Sequence, residues 1–170
     1  MKITFRNLNN NDSEFKQLYK WCSQKFIYEW FEQRVLSYEE IVIKYTNKLN
    51  NRKQELLIIQ CDGKDIGYIQ IYKYDGTISI KNHNNLYEYD LFIGEEDYLS
   101  KGIGTIIVKD INNWIYSKYN ADGIILRPFK RNIRAIRCYE KCNYNIIDEY
   151  EGTDTIGNSE IITVLLNEKH

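Results

Sequence analysis

The chain has 170 residues, a net charge of −1 and four cysteines. Its length suits a single domain over residues 1–170, and 43% hydrophobic with 28% charged residues is the balance of a globular rather than a disordered chain. Near-neutral charge argues against nucleic acid as the partner, since phosphate binding needs a basic face. No stretch approaches the ~20 apolar residues a bilayer span needs.

Ile3 to Leu8 alternates and predicts a first strand. Asp12 is a candidate N-cap for a helix to about Ser23, with Phe15, Leu18, Tyr19 and Cys22 on one face. Ile27 to Leu36 is ambiguous. Ser37 with Glu40 forms a capping box, which predicts a helix from Tyr38 to Leu49. The period then shortens. Leu56 to Cys61 reads as a strand, Asp62-Gly63 as a hairpin turn and Ile66 to Tyr74 as the returning strand. After a polar loop holding Asn82 to Asn85, Tyr87 to Ile93 reads as a strand. Ile103, Ile107, Ile111 and Trp114 mark a helix to about Tyr119. Gly123 to Leu126 is a short buried strand, Ile133 to Cys142 a helix, and Tyr144–Tyr150 and Glu160–Leu166 two closing strands. The order is β-α-α-β-β-β-α-β-α-β-β. It implies an α/β fold with a mixed, twisted central sheet of six or seven strands and about four helices.

The cysteines contain no C-x-x-C pair and only two histidines accompany them, so no metal site is expected. Cys138 and Cys142 read as free thiols. MKITFRNLNNND lacks an apolar core of the secretory kind, so a cytoplasmic protein is expected.

The segment Tyr98-Leu99-Ser100-Lys101-Gly102-Ile103-Gly104-Thr105 follows a strand and opens an amphipathic helix. Two glycines two apart let backbone approach a bulky anion, and the first N–H groups of a helix are unpaired and partly positive. That combination suits a phosphate or pyrophosphate. The Walker spacing and the third glycine of a dinucleotide fold are both missing. About thirty residues on comes Pro128-Phe129-Lys130-Arg131-Asn132-Ile133-Arg134-Ala135-Ile136-Arg137-Cys138-Tyr139-Glu140-Lys141.

The two segments together resemble the GNAT acetyltransferases, in which K-G-x-G-T cradles the CoA pyrophosphate and N-x-x-A-x-x-x-Y-E-K forms the helix beside the pantetheine arm. The likeness is good from Ile66 to Ile147 and extends to the aminoglycoside 6′-N-acetyltransferases through Tyr89-Asp90-Leu91-Phe92-Ile93-Gly94-Glu95. It implies transfer of an acetyl group from acetyl-CoA, as cosubstrate, to a small-molecule amine in a monomer or homodimer; the acceptor is an aminoglycoside 6′-amine or, alternatively, a polyamine-like metabolite, a siderophore precursor or a peptide, and a further alternative is a weakly active CoA-binding module.

The resemblance implies these roles. Lys101, Gly102, Ile103, Gly104 and Thr105 hold phosphates, while Asn132 and Ala135 meet the CoA arm. Asn132 is also a good N-cap for the helix it precedes. Backbone N–H groups of Leu91, Phe92 and Ile93 stabilise the thioester oxygen. Asp90 serves as base or ammonium anchor, and Tyr139 protonates the leaving thiolate. By strand alternation Glu88 shares a side with Asp90 and could hold the acceptor. Trp30 and Glu29, with Trp21, Phe31 and Glu32, could line a pocket for a cation, and Asp148, Glu149, Glu151 and Asp154 could add to it. Arg127 departs from the aminoglycoside pattern, which has an Asp facing the cationic substrate there; if it points into the site it repels a polycation. No cysteine lies at the strand end or glycine turn, so transfer is expected to be direct.

Overall fold

A computed structural model describes residues 1–169. In chain order it contains β1 (Ile3–Asn7), α1 (Asp12–Cys22), α2 (Lys25–Tyr28), α3 (Tyr38–Asn50), β2 (Gln54–Cys61), β3 (Lys64–Lys73), β4 (Leu86–Ile93), α4 (Ile103–Tyr119), β5 (Gly123–Leu126), α5 (Ile133–Glu140), β6 (Asn145–Thr153) and β7 (Ser159–Glu168). The seven strands form one sheet in the order β1-β2-β3-β4-β5-β7-β6. Only β4 and β5 run parallel. The expected α/β class and mixed sheet are present, with five α-helices where about four were expected. The extra one, α2, overlaps the start of the ambiguous stretch at Ile27 and Tyr28 and is a single turn.

Local chemistry accounts for most boundaries. Ser37 and Glu40 close a reciprocal capping box, each bonding to the other's backbone N–H, at the start of α3. Asp62 and Gly63 both take positive φ, 50° and 82°, as a two-residue hairpin loop of primed type requires. At α1 the cap is Asn11, whose side chain accepts from the Glu14 N–H at 3.0 Å, and Asp12 becomes the first helical residue.

Strand alternation sends side chains to two cores. On one face, Leu56, Ile58, Tyr68 and Phe92 pack under α1, α2 and α3 with Trp21, Leu18, Ile41 and Tyr45. On the other, Leu57, Ile59, Ile69 and Tyr89 pack under α4 and α5 with Ile107, Ile111 and Ile115. Trp21 is fully buried and lies flat on Gly94, where any Cβ would sit 2.3 Å from the indole. Its Nε1 donates to Glu95 at 2.9 Å, so α1 is fastened to the end of β4. The expected acceptor-lining role of Trp21 is therefore replaced by a structural one.

Candidate active site

The site begins where the sheet comes apart. β4 pairs with β5 only over Leu86↔Gly123, Tyr87↔Ile124 and Glu88↔Ile125. Beyond that point β4 stays with β3 as far as Gly67↔Ile93, whereas the chain after β5 follows β7 through a Phe129↔Ile162 bridge. The Tyr74 N–H donates to Leu86 O at 3.0 Å and the Gly94 N–H to Ile66 O at 2.7 Å, which fixes the phase of the β3–β4 ladder. Even-numbered residues of β4 turn their backbone polar groups to β3. Those of Leu91 and Ile93 turn to the other side, where no strand pairs with them. Phe92 thus offers no free N–H to the gap.

An open cleft of about 900 Å³ runs along this unpaired edge. At one end is the start of α4. Its N-cap is Gly102, at φ 79°, and no side chain caps the helix. Ser100 is also left-handed, at φ 60°. Alternating backbone of this kind gathers N–H groups into an anion-binding concavity. Among the described residues, the N–H groups of Gly102, Ile103 and Gly104 find no acceptor. Gly104 is helical, and a Cβ there would meet only ordinary contacts, Cys138 Sγ at 3.5 Å and Ile93 Cδ1 at 4.0 Å. Neither backbone strain nor packing demands glycine at 104, but its bareness leaves the helix start open. Arg134, Arg137 and Lys141 reach the cleft from α5, at helical spacing on one face. These cations were legible as spacing but not picked out in the sequence reading.

At the other end is Asp90. Its Oδ2 accepts from Gln70 Nε2 at 2.6 Å and from Tyr72 OH at 2.9 Å, while Oδ1 has no partner among the described residues. Gln70 Oε1 accepts in turn from Tyr68 OH at 3.2 Å and from Lys48 Nζ. Lys44 pairs with Glu32 nearby. Burial, reinforced by the charge of Lys44, lowers the Lys48 ammonium to about 8. Gln70, Tyr72, Lys44 and Lys48 carry no motif that a sequence reading could single out; α3 and two strands bring them together.

Tyr139 lines the cleft from α5, and its hydroxyl has no hydrogen-bond partner among the described residues. The neighbouring buried tyrosines differ. Tyr89 and Tyr144 share Asn112 Oδ1, at 3.2 and 2.8 Å. Burial raises the Tyr139 phenol, which keeps it protonated at neutral pH. Asn132 caps α5 by accepting the Ala135 N–H at 3.2 Å, and Ala135 and Thr105 line the same wall.

Several expected positions lie elsewhere. Ile103 points its side chain into the core, so only its backbone belongs to the turn. Lys101 is exposed beside the cleft and does not line it. Glu29 closes α2 outside the cleft, and Glu32, three residues on, takes the inward place. Trp30 lines the cleft under Arg131, whose guanidinium carbon stands 4.8 Å from the ring. Asp154 organises the β6–β7 turn through Asn158, and Glu149 pairs with Lys130; none of the four acidic residues there reaches the cleft. Glu88 is 3% exposed and fully engaged by Arg127, which donates from Nε at 2.7 Å and Nη2 at 2.6 Å. Glu88 is therefore not free to hold an acceptor. Arg127 is turned back over Tyr74 and toward Asp75 as well, at 3.3 Å. Burial pulls the Glu88 carboxyl up, against the guanidinium that holds it ionised.

The sheet thus parts beside its one parallel pair, with a bare helix start at one end of the gap and an anchored carboxylate at the other. A model of the acetyltransferase (GNAT) domain matches residues 10–151, and the chain belongs to that family. It is 27% identical over 160 residues to an aminoglycoside N(6′)-acetyltransferase type 1 of Klebsiella pneumoniae, covering 90% of this chain and 77% of that protein. It is 22% identical over 120 residues to the spermidine N(1)-acetyltransferase of Escherichia coli K12, covering 71% of this chain and 61% of that protein. The fold matches a crystal structure of an aminoglycoside acetyltransferase in complex with coenzyme A at a TM-score of 0.82 and 22% identity, over 99% of this chain and 95% of that one.

Proposed function

We propose that this chain transfers the acetyl group of acetyl-CoA to a primary amine of a small molecule, by direct attack within a ternary complex. The 6′-amine of an aminoglycoside is the acceptor its relatives favour. The observation that carries the reading is a single cleft with unpaired helix N–H groups at one end, the free Oδ1 of Asp90 toward the other, and the unpaired edge of Leu91 and Ile93 between.

The residues present fit acetyl-CoA. The uncapped start of α4 and the cations of α5 suit a pyrophosphate, and the extended β4 edge suits the amides of a pantetheine arm. When bound, acetyl-CoA supplies an activated thioester. The chain's own groups do the rest. The N–H groups of Gly102, Ile103 and Gly104 take phosphate oxygens, with Thr105 at hand and Lys101 reaching from the rim. Asn132 holds α5 in place beside the arm, against Ala135. The N–H groups of Leu91 and Ile93 are the donors on hand for a developing oxyanion. Asp90 Oδ1 holds the acceptor's ammonium and takes its proton, directly or through a water, since only a neutral amine attacks. The Tyr139 hydroxyl gives a proton to the departing thiolate. Contrary to the expectation that no cysteine sits at the glycine turn, Cys138 lines the cleft there, 3.7 Å from Thr105 Oγ1, at the phosphate end of the cleft and not beside Asp90. This placement favours direct transfer over a cysteinyl intermediate.

A second reading, another amine acceptor, is favoured by Lys44 and Lys48, two cations at the end of the cleft where a polycation would have to sit. The deciding experiment follows release of CoA thiol from acetyl-CoA with aminoglycosides that carry or lack a 6′-amine, alongside polyamines and short peptides. Turnover only with 6′-amines is the expected result. Turnover confined to another amine class would establish the second reading, and none with any amine would remove both.

A further inference from the structure

The acceptor end of the cleft has an unusual charge balance. Glu32 is paired with Lys44, and Glu88 with Arg127. Asp90 has no cation bonded to it directly and keeps Oδ1 free, and Lys48 is joined to it through one side chain, since Lys48 Nζ donates to Gln70 Oε1 and Gln70 Nε2 donates to Asp90 Oδ2 at 2.6 Å. Every carboxylate at this end therefore already has a cation of the chain within one or two hydrogen bonds. Lys48 is held there. Its Nζ stands 5.6 Å from the centre of the Tyr45 ring, and that ring is itself fully packed beneath α3. An acceptor whose amine reaches Asp90 enters the same end of the cleft as the Lys48 ammonium, which stands one side chain, Gln70, away from that carboxylate. A second ammonium on the acceptor, close to the reacting one, would meet Lys48 with no unpaired carboxylate to offset it.

We propose that Lys48 is a specificity-determining residue, selecting acceptors whose reacting amine has no second ammonium close beside it. The proposal deepens the amine-acetylation reading and rests on it. The chemistry it names is local: total charge on the acceptor matters less than charge on the same sugar ring as the amine that enters. Kanamycin A and kanamycin B test this directly, because they share the 6′-amine and differ on the same ring in a 2′-hydroxyl against a 2′-amine.

The experiment compares kcat/KM for the two acceptors in the unmodified protein, in Lys48→Met and in Lys48→Gln, which keeps a hydrogen bond to Gln70 if the methionine variant is poorly folded. The expected result is at least a tenfold preference for kanamycin A that shrinks to within threefold in the variants. If Lys48 served only to position Gln70 and Asp90, both acceptors would lose kcat equally and the ratio would stay, which would overturn the proposal. If no form turns over either compound, the aminoglycoside reading has failed separately. The selection is then read by calorimetry with coenzyme A present, using propylamine and 1,3-diaminopropane, which carries two ammonium groups at neutral pH, as the matched pair. A variant that gains affinity for the diamine relative to the monoamine supports the role of Lys48, and a pair of heats unchanged between forms removes it.

Discussion

Asp90 is a short side chain held at one oxygen and open at the other. Gln70 and Tyr72 donate to Oδ2, so the carboxylate cannot rotate without losing both bonds. Fixing one oxygen aims the other, and in acyl transfer to an amine such aim is worth more than basicity alone. Asp90→Asn keeps the shape and hydrogen-bonding bulk but removes the charge that receives an ammonium proton. We expect kcat to fall about 100-fold or more, the range for losing a general base, with acetyl-CoA affinity unchanged because the pyrophosphate end is untouched. Steady-state kinetics beside a direct acetyl-CoA titration check this, and an equal loss in both would assign Asp90 to folding. Arg127 illustrates the converse. Its position suggested a cation facing the acceptor, yet its guanidinium is spent on Glu88 and Asp75. A residue number gives the place of a side chain in the chain but not the partner that claims it.

At the scale of elements, the start of α4 separates two demands usually met together. Gly102 is required by its backbone, since φ 79° is costly for any residue with a Cβ. Gly104 is not, and Ala there would improve the helix by up to about 1 kcal/mol. Gly104→Ala is therefore expected to hold or raise the melting temperature while weakening acetyl-CoA binding about tenfold or more, as the new methyl group covers the open N–H groups. Thermal unfolding and a binding titration on one sample decide it; a fall in stability with binding intact would contradict the reading. The same contrast explains what could be read in advance. The capping box of Ser37 and Glu40, the Asp62-Gly63 turn and the whole extent of α4 and β5 depend on neighbours within a few positions, and the sequence displays them. α2 was missed because a one-turn helix lacks the repeats that periodicity needs. The Glu32–Lys44 and Glu88–Arg127 pairs, the latter 39 positions apart, are products of packing, and no local pattern announces them.

Over the whole molecule, the sheet divides two chemistries. The helices of the first fifty residues cover one face and those of the later half cover the other, and the gap beside β4 joins the two sides. No described helix is long and apolar enough to cross a membrane. A ligand laid along the unpaired edge would complete the ladder that β5 leaves unfinished. Acetyl-CoA at about 100 times its Kd should stabilise the protein by about 2.7 kcal/mol. Amide exchange should slow most at Leu91, Ile93, Gly102 and Gly104, whose N–H groups are otherwise unpaired. Protection spread evenly over the chain would indicate general tightening instead.

The parting of β4 from β5 also bears on how such a chain can change over generations. An interruption inside a sheet normally costs stability on both sides, but here each strand keeps its other neighbour, β3 for β4 and β7 for β5. The wall built by α1, α2 and α3 can then drift in composition without disturbing the backbone of the opposite wall. Lineages of this architecture are free to inherit one half almost as a fixed instrument and to rewrite the other.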